Sequence, residues 1–124
     1  MNIFVSGSLA YDNIMDFPDH FRNHILPDKI HDLNVSFLIN DLKTNFGGNA
    51  GNIVYSLTLL GEKPTILATA GGDFDKYKTW LSENGVDVSY IKIIKKELTA
   101  IAYIITDQSD NQITAFYPGS MKHP

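Results

Sequence analysis

The sequence predicts an α/β fold with parallel strand pairing, on three observations. Short apolar runs suited to buried strands alternate with stretches whose apolar residues recur at helical spacing. Each helical stretch ends at a glycine, Gly61 and then Gly85. Hydrophobic residues make up 44% of the 124 positions and charged residues 19%, which is a globular composition with enough material for one modest core.

The elements follow in order. "NIFVSGS" reads as a short buried strand running into a glycine turn. "PDHFRNHILPDKIHD" starts at Pro18 and is interrupted by Pro27, and it is expected as a surface connection or short helix. In "LNVSFLIN", Val35, Phe37 and Ile39 alternate with Ser36, Leu38 and Asn40, so a strand is expected near 34–40. Ala50, Ile53, Val54, Leu57 and Leu60 then form a helical stripe, with Asn49 as the expected N-cap. "PTILATA" is a second buried strand. Asp73 is expected to cap a second helix with Phe74, Tyr77 and Leu81 on its apolar face, and "VSYIKII" is a third strand. "TAIAYIITD" and "QITAFYPG" flank the turn cluster "QSDN" and predict a hairpin. No linker divides the chain.

Composition also narrows the function classes. The formal net charge is −4, and no Lys/Arg cluster exceeds the pair Lys95-Lys96, which argues against nucleic acid as a partner. Without cysteine there is neither a disulfide frame nor a thiolate zinc site. "MNIFVSGS" lacks a positively charged stretch and a long apolar run, so it reads as neither signal peptide nor membrane span, and a cytoplasmic location is expected. No nucleophile elbow and no Gly-Lys-Ser/Thr phosphate loop occur. Gly71-Gly72-Asp73 follows a strand but lacks the G-x-G-x-x-G spacing of a dinucleotide loop. His20 and His24 would share one face of a helix, with His31, Asp19 and Asp28 nearby. A solvated, proline-bounded segment accounts for them without a metal, and none is expected.

The stretch most suited to a ligand is "FGGNAGN", residues 46–52. Two adjacent glycines at a helix start allow close approach to the backbone, and a first helical turn has N–H groups in need of partners. Asn52 lies one turn in, and its amide both donates and accepts, which suits a diol. A plain glycine turn with an Asn49 cap explains the same letters. Asp12 follows the first strand, and ligands of open α/β sheets bind beyond the carboxyl ends of strands. By position alone, Asp12 is better read as a turn or helix cap.

"GSLAYDNI" followed by "FGGNAGNIVYSLTLLG" resembles the first signature of the ribokinase, or PfkB, family of sugar and nucleoside kinases. "ATAGGDFDKYKTWLSENGVDVSYI" and "TAIAYIITDQSDNQITAFYPGSM" are similar to the segments that follow it there, the latter to the lid hairpin. The "GGNAGN" and "FYPGSM" forms lean toward the adenosine-kinase-like branch. The resemblance implies a ribokinase-like fold: the N-terminal part of a mostly parallel Rossmann-like sheet with helices on both faces, plus a small β lid near 34–40 and 99–118. It implies that Asp12 and Asn52 hold sugar hydroxyls, with Gly47, Gly48 and Asn49 around them and Phe37 facing the base of a nucleoside. The family's catalytic aspartate stands in a downstream Asp-Thr-x-Gly-Ala-Gly-Asp signature that these 124 residues lack. The catalytic portion that binds ATP and Mg²⁺ is therefore expected outside this chain, and no catalytic residue within it. The expected function is the substrate-binding part of an ATP-dependent sugar or nucleoside kinase. The alternative is a naturally short, non-catalytic sugar- or nucleoside-binding protein of the same fold. Self-association through the lid or an open sheet edge, or poor solubility, is expected of these 124 residues, whereas a stable monomer would favour the binding protein.

Overall fold

The computed structural model describes residues 2–123 as two small sheets between which the chain passes three times. The first sheet is three-stranded and parallel. It contains β1 (Phe4–Ser6), β4 (Thr65–Gly71) and β5 (Ile91–Ile94), in the order β1-β4-β5. The second is four-stranded and mixed. It contains β2 (Ala10–Asp16), β3 (Asp41–Gly47), β6 (Ala100–Thr106) and β7 (Gln112–Tyr117), in the order β3-β2-β6-β7. Two helices, α1 (Asn49–Leu59) and α2 (Asp75–Glu83), complete the crossovers β1-to-β4 and β4-to-β5.

The core forms on one face of the parallel sheet. Ile66, Ala70 and Ile91 meet Ala50 and Val54 of α1 and Tyr77 and Leu81 of α2, all buried. Phe4 and Leu67 alternate with these positions and remain exposed on the other face. Helices covering that second face have no counterpart among the described residues. None of the described helices is long and apolar enough to cross a membrane.

Most elements form where the periodicities place them. Both helices stop before a glycine at positive φ, Gly61 and Gly85 at 86° each. The β6–β7 hairpin turns through 107–111, where Asp107 gathers the turn. Its carboxylate accepts N–H bonds from Ser109 at 3.0 Å, Asn111 at 2.9 Å and Phe21 at 2.9 Å. The segment expected as a surface connection carries two 3₁₀ turns, Phe21–Asn23 and Pro27–Asp32.

Four expectations are corrected. Residues 34–40 are not a lid strand. That role belongs to β3, which pairs antiparallel with all of β2. β3 is exposed along most of its length, so its sequence carries no apolar alternation, and pairing rather than burial makes it a strand. Phe37 instead packs into an aromatic cluster with Phe17 and Phe21, centroids 4.8 and 5.2 Å apart, and His24. Second, Asp12 does not sit at the carboxyl end of β1. The chain leaves the parallel sheet after Ser6 and begins a new strand at Ala10, so Asp12 is the third residue of the lid strand β2. Third, Gly48, not Asn49, is the N-cap of α1. Fourth, Asp73 does not cap α2, whose N-cap is Phe74. Its carboxylate is engaged by Thr99, which donates both N–H (2.8 Å) and Oγ1–H (2.7 Å), while Thr99 Oγ1 accepts from Gly71 N–H at 2.9 Å. That cluster anchors the start of lid strand β6 to the end of core strand β4.

Asp107 makes the lid hairpin sensitive to acid. Burial works to raise its pKa, but the hydrogen bonds from Phe21, Asn111 and Ser109 outweigh it and hold the carboxyl down at about 2. A folded pKa below the unfolded value of about 4 stabilises the fold above that pH, and the contribution is lost as pH falls toward 2. Asp19, held at about 2 by His24, His20 N–H and Asn23, titrates in the same window. In melting curves of the 124-residue chain, Asp107→Asn should lower Tm at pH 6 and shrink, without abolishing, the drop in Tm between pH 5 and pH 2. An undiminished drop would show that the Asp107 cluster contributes nothing to stability.

Candidate functional site

The site is assembled at the turn from β3 into α1, with β2 beside it. Gly48 lies between lid strand and helix at φ 89°. A side chain there would be strained, and its Cβ would meet Ser8 O at 2.5 Å and Leu9 Cα at 2.8 Å. The space above Gly48 therefore belongs to the chain's own backbone. Ser8 also takes the first-turn N–H groups of α1. Its Oγ accepts from Asn49 N–H at 2.9 Å, and its carbonyl oxygen accepts from Ala50 at 3.0 Å and Gly51 at 3.4 Å. This corrects the expectation that the helix mouth offers free N–H groups to a ligand.

Side chains carry what remains for a ligand. Asp12 lies directly over Gly47, and a Cβ on Gly47 would collide with its carboxylate. No donor among the described residues bonds to that carboxylate, and partial burial raises its pKa above the ordinary value. Asn52 is exposed on the first turn of α1. Its N–H donates to Gly48 O at 3.0 Å, and its side-chain amide is free of hydrogen bonds among the described residues. Asp12 and Asn52 are thus fixed to adjacent glycines of one turn, each with unused hydrogen-bonding capacity. Asn49 sits at the same turn with an exposed side chain.

Strand register shows what shares a face with Asp12. The rung through it runs Asn45, Asp12, Ala102, Phe116 across β3, β2, β6 and β7. Paired residues point the same way, so Phe116 stands two strands from Asp12, roughly 10 Å away at ordinary strand spacing. Only the small side chain of Ala102 intervenes. Phe116 is 52% exposed. The hairpin expected within 99–118 contained Phe116, but which face it takes follows only from the pairing. Phe37 lies elsewhere, in the cluster of rings around Phe17, which follows the last residue of β2.

Two clefts flank this arrangement. One of about 650 Å³ lies at the carboxyl ends of β1 and β4 and is bordered by Ser6, Ser8, Asn49, Thr69, Lys92 and His123. The other, of about 700 Å³, lies behind the lid and is bordered by Tyr11, Asn13, Phe46 and Asp75. Tyr11 donates to Asp73 O at 2.8 Å there. Burial, then the nearby charges of Asp73 and Asp75, push its phenol up to about 12. Neither cleft is lined by Asp12 or Asn52. The described residues contain no group of three His, Asp or Glu side chains arranged to hold a metal. His20 bonds to Ser109 at 2.6 Å and His24 to Asp19 at 2.8 Å, each in its own direction.

The fold has counterparts among known proteins. A family model described as pfkB family carbohydrate kinase matches residues 12–123. A nucleoside kinase of Methanothermobacter thermautotrophicus is 30% identical over 98% of this chain, which spans 37% of that relative's length. The structure of Burkholderia thailandensis nucleoside kinase in complex with inosine superposes with a TM-score of 0.81. It is 41% identical, with 96% of this chain and 37% of that one covered. Methanocaldococcus jannaschii nucleoside kinase, described as an archaeal member of the ribokinase family, superposes with a TM-score of 0.83 at 29% identity, covering 98% of this chain and 38% of that one. With a family model matching nearly its whole length and the lid, the Gly-Gly turn and the parallel sheet all in place, the chain belongs to the pfkB family of carbohydrate kinases.

Proposed function

We propose that this chain is the nucleoside-binding part of an ATP-dependent nucleoside kinase. The observation that carries the proposal is the Asp12 carboxylate over Gly47, with the Asn52 amide on the first turn of the helix that Gly48 opens, both without hydrogen-bond partners among the described residues. A carboxylate accepts from two neighbouring hydroxyls, and an amide both donates and accepts, so together they suit the vicinal diol of a ribose. Gly47 and Gly48 serve by making the turn that brings the two side chains together. Phe116, across Ala102 on the same face, is placed to lie against a base, whereas Phe37 is engaged by other rings. The relatives' names support a nucleoside over a simple sugar, and the adenosine-kinase-like character of the sequence motifs favours a purine.

The reaction would be in-line transfer of the γ-phosphoryl group to a primary hydroxyl, with Mg²⁺ clamping the phosphates. ATP and Mg²⁺ would be held mainly by the remainder of a full-length kinase, where the family's Asp-Thr-x-Gly-Ala-Gly-Asp signature stands. A non-catalytic nucleoside-binding protein is the second reading. It rests on the same Asp12 and Asn52 side chains, which need no catalytic group to hold a nucleoside. A reading frame that continues to a Gly-Ala-Gly-Asp motif supports the kinase, and a stop after residue 124 supports the binding protein.

The full-length protein tests the site. Asp12→Ala and Asn52→Ala should each raise KM for adenosine and inosine, by the roughly 5- to 150-fold that corresponds to about 1–3 kcal/mol per lost hydrogen-bonding group. The two sites differ in stability. A carboxyl with a raised folded pKa stabilises the fold when protonated and loses that contribution as pH rises through it. Asp12→Asn should therefore raise Tm slightly at pH 7, although it weakens binding. Unchanged KM in both alanine variants would refute the assignment.

Phe116→Ala reads the base contact separately. Stacking of about 0.5–1.5 kcal/mol predicts a KM for inosine roughly 2- to 12-fold higher. The KM for ribose, which has no base, should not move. An equal effect on both would place Phe116 away from the base.

The isolated 124-residue chain should show no turnover of ribose, fructose, adenosine, inosine or cytidine with Mg-ATP. It should also self-associate, since Phe4, Leu67, Leu42 and Leu60 are exposed and both sheets have open edges. Turnover well above a no-protein control, or a monomeric mass by light scattering, would each overturn the corresponding half.

A further inference from the structure

Tyr77 is fully buried in α2, yet its hydroxyl is aimed at the site. It donates to the carbonyl oxygen of Gly47 at 2.7 Å. Its ring stacks on Phe46, the residue before Gly47, at 4.5 Å and 20°. Phe74 lies 5.0 Å and Tyr11 5.9 Å away by centroid. The third glycine of the turn makes room for this reach. A Cβ on Gly51 would collide with the Tyr77 hydroxyl and lie 3.1 Å from Cζ. Ring packing alone would need only a phenylalanine, and it would not need a glycine at 51.

Gly47 thus has the Asp12 carboxylate in the space a side chain would fill and the Tyr77 hydroxyl bonded to its carbonyl. That carbonyl belongs to the Gly47–Gly48 peptide, and Gly48 O in turn accepts the N–H of Asn52. The orientation of this one peptide sets where α1 and its Asn52 begin relative to Asp12, which β2 holds through its pairing with β3 and β6. Glycine on each side leaves it little torsional restraint of its own. The hydroxyl adds a bond from α2 to the strand pairing of Gly47 with Ala10, and so ties the turn to the second helix.

We propose that Tyr77 is a positioning residue for the ribose subsite: its hydroxyl fixes the Gly47–Gly48 peptide and thereby sets Asp12 and Asn52 in register for neighbouring hydroxyls. This rests on the assignment of Asp12 and Asn52 to the sugar. Gly51 belongs to the same device, as the position whose missing side chain lets the phenol through.

The test uses the full-length protein, with adenosine and inosine as varied substrates. Tyr77→Phe keeps the ring and removes the hydroxyl. It should raise nucleoside KM about 5- to 20-fold, the scale of one hydrogen bond, and leave the KM for ATP unchanged. Gly51→Ala, which displaces the phenol without altering it, should raise nucleoside KM similarly. The double variant should be no worse than the more impaired single variant, because both break the same bond. A lowered Tm with unchanged nucleoside KM in both single variants would make Tyr77 a core residue only and overturn the proposal, as would fully additive effects. If Tyr77→Phe does not fold, Gly51→Ala alone decides on the same KM criterion. Asp12→Ala is measured in parallel. If it raises KM while Tyr77→Phe and Gly51→Ala do not, the sugar site stands and the positioning role fails. If Asp12→Ala and Asn52→Ala also leave KM unchanged, the sugar site itself is wrong.

Discussion

The fold depends on a single residue's backbone and hydroxyl group. Ser8 lies in the three-residue passage from core strand β1 to lid strand β2, and it accepts N–H groups from Asn49, Ala50 and Gly51. A helix start must find partners for its first N–H groups, and here they come from a segment 41 residues earlier. That bond set fixes where α1 begins relative to both sheets. It is also why Gly48 must be glycine, since the Ser8 carbonyl occupies the space a Cβ would need.

Thr99 and Asp73 perform the matching task at the other junction. The chain crosses from parallel sheet to lid a second time after β5, and the Thr99 hydroxyl is saturated, donating to Asp73 and accepting from Gly71. Both junctions are buried or half-buried polar clusters rather than apolar contacts. Such clusters are directional, so they define the angle between two sheets better than a greasy interface would. The candidate sugar site lies at one of them, which gives its side chains a fixed platform on a chain with a modest core.

The sequence was most legible where burial imposes a period. α1, β4 and α2 each bury one face, so Val54, Ile66, Tyr77 and Leu81 stand at the spacings that core contact requires. The β6–β7 hairpin was legible because "QSDN" can only turn. β3 was not, because "DLKTNFG" is exposed along most of its length and is a strand only through β2. The role of Ser8 was hidden for a different reason: a carbonyl oxygen is common to all residues and leaves no letter. Asp12 and Asn52 stand out by position and by motif resemblance, and the structure adds that neither side chain has a hydrogen-bond partner among the described residues. Phe116 and Tyr77 were visible as aromatic residues. Only strand register and a hydroxyl direction separate them from the rest of the core and surface.

The lid's parallel pair has a consequence for how the molecule comes into being. β2 pairs with β6 from Ala10↔Ala100 to Asp16↔Thr106, bringing together segments 90 positions apart. Closing so long a loop is entropically expensive, and topologies rich in such contacts fold slowly. The hairpin-like pairing of β2 with β3 and the compact β4-α2-β5 unit need no such closure. During synthesis β2 must therefore wait, with one edge unpaired, until the last fifth of these 124 residues has emerged. The strand bearing Asp12 is thus among the first made and among the last completed, and it is the place where a nascent chain is most open to wrong partners.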